Sequence, residues 1–99
     1  MSGIKNEVLV VLEEGVENKK EFEGFILKEG FNAIENEPFA YTGVSTTPYF
    51  NTTAYIFEIF SKAFEKVGVN ECKLICQIGS HPPTAYLYKK DEFFTELES

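Results

Sequence analysis

The residues with chemistry to offer are few and widely spaced. His81 is the one imidazole of the chain and sits in Ser80-His81-Pro82-Pro83, a rigid turn that could present it as a general base or a proton switch near neutral pH. Glu13 and Glu14 follow the aliphatic run Val8-Leu9-Val10-Val11-Leu12. Adjacent carboxylates at a strand end could take a divalent cation or act as acid and base near a phosphodiester. They could equally be loop acids, because neighbouring strand residues point to opposite faces and only one would enter a given site. Cys72 and Cys76 lie on a strand-like segment, which separates them by about 13 Å, too far for a disulfide. With a single His they make a poor zinc set. They read as buried reduced thiols, which points to a reducing compartment. No Ser or Cys stands in a nucleophile motif, and no Gly-rich phosphate loop is present. Neither a metal nor a cofactor is expected.

A different kind of chemistry, contact rather than catalysis, is offered by the stretch 39–50. It is rich in aromatic and Thr residues and broken by Pro48, the composition of a loop or irregular hairpin that can touch something. Tyr41, Tyr49 and Phe50 are its candidate contacts; the alternative is that these rings close the open end of a sheet. The charge pattern adds a second contact surface. The chain has nine Lys, no Arg and sixteen acids, for a net charge of −7 and a pI near 4.7. A nucleic-acid surface needs a basic stripe and favours Arg for its planar fork, so a protein partner with a basic surface fits better. The acids are densest early, and Glu14 and Glu17 fall in this acidic part, which is either a contact surface or a solubilising one.

These residues need elements to position them. Ninety-nine residues, 43% of them apolar, suit one domain over residues 1–99 with a modest core. Ten Phe and five Tyr without Trp make large rings the main packing material. The opening residues lack a hydrophobic signal core, and the longest aliphatic run is far short of the roughly 20 residues that span a membrane. A soluble, cytoplasmic protein is expected, and the Asn51-Thr52-Thr53 glycosylation sequon is therefore set aside.

Residues 8–12 read as a central strand ending at Gly15. Asn18 and Glu21 resemble a capping box opening a helix over 18–29, with Phe22, Phe25 and Ile26 on one face and a stop at Gly30. Gly24 within it suggests close packing on the sheet. A strand of mixed polarity over 31–36 and a segment 39–44 with turn chemistry at Gly43 come next, and 49–53 reads as a third strand feeding a second helix. That helix has the clearest periodicity: Ile56, Ile59, Phe60, Ala63, Phe64 and Val67 form one stripe, and Phe57 falls beside it as an edge contact. In the following strand Cys72, Leu74, Cys76 and Ile78 share the inward face. Residues 84–88 form an additional short strand, and Asp91 caps a last helical turn carrying Phe94 and Leu97. The cadence βαββαβ predicts an α+β, ferredoxin-like sandwich: an antiparallel sheet with two helices on one face and a short C-terminal addition.

Three segments carry a resemblance: Val8-Leu9-Val10-Val11-Leu12 ending in carboxylates, Gly30-Phe31-Asn32-Ala33-Ile34 after the first helix, and Phe50-Asn51-Thr52-Thr53 leading into the second. In this layout the chain resembles the GhoS antitoxin family, small ferredoxin-like proteins related in fold to VapD and to CRISPR adaptation nucleases. The resemblance implies an endoribonuclease acting on single-stranded RNA, with Glu13 at the position of the acid that ends the first strand and His81 as its possible helper. The chain departs from that pattern in having no Arg and a Glu rather than an Asp after the strand.

The residues themselves favour a small regulatory or inhibitory module, expected as a homodimer, that binds another macromolecule through its acidic face or the segment 41–50. The GhoS-like ribonuclease is the first alternative. A small-molecule-binding regulatory domain of the same architecture is the second.

Overall fold

The computed structural model describes residues 5–13 and 16–97. In chain order they form β1 (Asn6–Leu12), α1 (Lys19–Lys28), β2 (Asn32–Ala33), β3 (Ala40–Ser45), α2 (Tyr49–Lys66), β4 (Glu71–Ile78), β5 (Thr84–Lys89) and β6 (Phe93–Glu96). All six strands join one sheet in the order β2-β3-β1-β4-β5-β6, and every neighbouring pair is antiparallel. The protein is thus an α+β sheet with two helices, and β1 lies central, paired with β3 on one side and β4 on the other.

One face of the sheet is buried by α1 and α2. Val8, Val10 and Leu12 from β1, Tyr41 from β3, and Cys72, Leu74, Cys76 and Ile78 from β4 point into it, as the alternation of a strand requires. The helices contribute Phe22 and Ile26 from α1 and Ile56, Ile59, Phe60, Ala63 and Phe64 from α2. The expected α2 stripe is therefore the core face, with Val67 half-buried at its end. Phe60 is the hub of the ring packing: it lies 5.9 Å from Phe22, 5.1 Å edge-on from Phe31 and 6.4 Å from Tyr41, centroid to centroid.

Both helices close the same way. After α1 the Phe31 N–H donates to the Ile26 carbonyl and the Gly30 N–H to Leu27; after α2 the Val69 N–H donates to Phe64 and the Gly68 N–H to Glu65. Gly30 (φ 106°) and Gly68 (φ 74°) take the left-handed position that this double bond demands.

Several expectations are corrected. Residues 49–53 are the first turns of α2, not a strand. Pro48 starts the helix with φ fixed at −61°, and the Thr hydroxyls that favour strands are absorbed locally: Thr53 bonds back to the Tyr49 carbonyl at 3.0 Å, and Thr52 bonds to Ser45, Thr47 and the Thr47 carbonyl. The strand expected over 31–36 shrinks to Asn32–Ala33, because Phe31 turns inward onto Phe60. Asn18 opens α1 without a side-chain cap, so the capping box does not form. The last segment is a strand rather than a helical turn. The Glu92 N–H closes a turn on the Lys89 carbonyl at 3.0 Å, Phe93 takes φ 64°, and β6 then pairs with β5 so that Phe94 stacks on Phe57 at 4.4 Å. Phe57 is the edge contact expected of it.

Gly24 does not pack on the sheet either. It is exposed, and a Cβ there would meet nothing within 4 Å. Gly24→Ala should consequently stabilise the protein by about 1 kcal/mol through helix propensity alone, raising the thermal midpoint by about 4–8 °C. An unchanged or lower midpoint in calorimetry would mean that the helix needs the glycine.

Candidate docking corner at the start of α2

β3 runs antiparallel to β1, so its last residue, Ser45, pairs with Asn6 at the start of β1, and the chain enters α2 at that same end of the sheet. β4 also finishes there: Ile78 pairs with Val8, and the Gly79 N–H donates to the Glu7 carbonyl at 2.8 Å. Gly79 has φ 58°, and a Cβ on it would lie 2.7 Å from Asn6 Oδ1, so the reversal after β4 is tight against β1. The His81 N–H then donates to the Ile78 carbonyl at 3.1 Å, and Pro82 and Pro83 follow. Two proline-stiffened segments meet as a result. The His81 ring lies on Tyr49 at 4.3 Å, and Tyr49 meets Phe50 edge-on at 5.5 Å.

Beneath these rings the hydroxyls of Ser45, Thr47 and Thr52 bond to one another, and the Thr47 N–H donates to Ser45 Oγ at 3.1 Å. This network holds the β3–α2 junction in one conformation. Tyr49 is half-buried against the core, whereas Phe50 is 82% exposed, the most exposed of the large apolar side chains among the described residues. Tyr86, on the core side of Tyr49, has its phenol pushed up to about 12, by burial first and then by Cys76, Tyr49 and Glu96. The Tyr86 phenol thus stays neutral over the physiological range. The corner offers ring faces, an imidazole edge and one exposed phenyl ring that rests edge-on against Tyr49.

The other candidate residues lie elsewhere. Glu13 follows the far end of β1, where its N–H donates to the Lys73 carbonyl at 3.1 Å and its carboxylate pairs with Lys73 Nζ at 2.9 Å. The β4 stretch from Lys73 to Ile78 alone spans about 17 Å at a strand's rise, so Glu13 and His81 stand at opposite ends of the sheet and cannot act on one phosphodiester together. Glu17 is exposed at the Glu13 end, before α1. Glu14 lies outside the described residues. Tyr41, expected as a contact, is fully buried; its hydroxyl donates to Glu23 Oε2 at 2.8 Å, and burial together with that carboxylate pushes its ionisation far above the ordinary phenol range. It is a core residue because β3 places it on the same face as Val10, under α1 and α2.

Cys72 and Cys76 are buried on the helix-covered face, and burial pushes the Cys76 thiol up to about 11. Among the described residues no group of three or more His, Cys, Asp or Glu side chains could hold a metal ion, and no helix is long and apolar enough to cross a membrane. The sequence carries no direct sign of the Tyr49–His81 contact. Its one trace was the pair of proline-flanked aromatic or imidazole residues, Pro48-Tyr49 and His81-Pro82.

Comparison of the chain with protein-family models, with curated proteins and with solved structures finds no match to any of them.

Proposed function

We propose that this protein is a small acidic regulatory or inhibitory module of the cytoplasm that works by binding a protein partner, with the Phe50–Tyr49–His81 corner as its anchor. The observation that carries this reading is Phe50, 82% exposed and set edge-on against Tyr49, whose ring in turn contacts His81. Hot spots of interfaces are a few aromatic or Arg anchors that become buried in the partner, a role open to an exposed phenyl ring. The net charge of −7 supports a partner with a basic surface, drawn in by long-range attraction. The strand order β4-β1-β3-β2, with α1 and α2 as its two crossovers and β5-β6 as an extension, supports the ferredoxin-like architecture. The two buried thiols favour a reducing compartment.

The test is retention of proteins from nuclease-treated lysate by the wild type and by Phe50→Ala, at low and high salt. Because Phe50 contributes little to the core, the variant should match the wild type in folding stability to within about 0.5 kcal/mol. It should lose about 30-fold in affinity for a retained basic partner. Retention equal in both proteins overturns the corner. Retained RNA, with cleavage lost on Glu13→Ala, would instead favour the GhoS-like ribonuclease.

A further inference from the structure

The sheet face opposite the helices has the wrong surface for a protein that stands alone. An antiparallel sheet with one wet face alternates apolar and polar residues. In the centre of this sheet the alternation fails. Leu9 and Val11 on β1, Ile75 on β4, and Ala85 and Leu87 on β5 all point away from the helices, and their registers make them neighbours: Val11 opposite Ile75, Ile75 opposite Ala85, Leu87 opposite Lys73. Val44, beside Glu7 on β3, is 60% exposed. A strand that is aliphatic on both faces, as β1 is, belongs to a sheet covered on both faces, yet among the described residues only one face is covered.

We propose that a second copy of this chain covers it, the two sheets packing face to face about a two-fold axis. Area is the first argument. The six strands, from two to eight residues long and spaced at about 4.8 Å, present about 500 Å² per copy, about 1,000 Å² in all, the lower limit of a specific interface. Charge is the second. The molecule carries −7, but this face holds only Glu7 and Glu71 against Lys73 and Lys89 on its strands, with Glu13 beside them paired to Lys73 at 2.9 Å, so it is far less acidic than the whole. A basic partner is therefore not drawn to this face, and two copies can meet on it without bringing their acidic surfaces together. Symmetry is the third. A two-fold axis across the strands lets Leu9, Val11 and Ile75 of the two copies meet near the middle of the face.

Sedimentation velocity of the wild type at about 100 µM should show a species of twice 11.2 kDa. Ile75→Glu puts a charge in the middle of the interface and should weaken association about 100-fold. Gln77→Arg, at a position already polar and paired with Leu9, should do so without risk to the fold, which far-UV circular dichroism checks. A wild type that sediments at 11.2 kDa at every concentration overturns the second copy and leaves the face to a foreign protein. A dimer that survives Gln77→Arg with unchanged affinity overturns the face.

Discussion

Raising the pH from about 8 to about 12 is expected to unfold this protein cooperatively. Four buried acids of high ordinary pKa are held neutral in the native state. Cys76 is pushed by burial from 9.0 to about 11, and Tyr86 by burial and its neighbours from 10.0 to about 12. Tyr88 is raised by burial and then by Glu65 and Asp91, and Tyr41 lies further above the ordinary range, through burial and Glu23. The native state therefore holds protons that the unfolded chain releases. Where the native state binds more protons, stability falls as pH rises. The contribution of these groups is complete below pH 9, begins to fall as unfolded Cys76 ionises, and falls faster above pH 10, where unfolded phenols ionise.

Each fully buried phenol takes away up to about 1.4 kcal/mol per pH unit in that window. Several together match a total stability of about 5–15 kcal/mol before Tyr86 itself ionises near pH 12. The measurement is tyrosinate absorbance and far-UV circular dichroism along one titration. The two should change together for the buried phenols. Smooth ionisation of Tyr41, Tyr86 and Tyr88 near pH 10 with the dichroism intact would contradict their burial.

Replacing Phe60 by Ala is expected to cost about 3–5 kcal/mol, the range for deleting a buried phenyl ring. The ring is inaccessible to solvent and touches both layers of the structure: Phe22 on α1, Phe31 at the helix exit, Tyr41 on the sheet and Phe64 one turn along α2. Its removal leaves a cavity that these large rings cannot collapse into without leaving their rotamers. In a domain of this size the thermal midpoint should fall by about 15 °C or more, and denaturant titration should show an earlier midpoint with an unchanged slope. A loss below about 1 kcal/mol would mean that the helix–sheet layer repacks freely.

The sequence by itself determined the inward faces. The 3.6-residue stripe through Ile56, Phe60 and Phe64, and the alternation of Cys72, Leu74, Cys76 and Ile78, are local patterns, and each names the side that must leave water. It also determined the stop of α1, where Gly30 takes the left-handed turn, and the net charge of −7. Tertiary structure decided what local pattern leaves open. Residues 49–53 have the composition of a strand, but they become helix because Ser45 and Thr47 are at hand to accept and donate with Thr52. The final segment has the spacing of a helical turn, yet the free edge of β5 offers it backbone partners, and Phe94 finds Phe57.

The candidate residues divided for the same reason. Tyr41 went to the core because its register places it beside Val10, under the helices. Glu13 and His81 were driven to opposite ends by the direction of β1 and β4. Tyr49 and His81 were brought together across 32 positions of chain by the β3–α2 junction and the reversal at Gly79. A side chain's type and its face are written in the few residues around it; which distant side chain it meets depends on strand order and direction, which are set by the packing of the whole chain at once.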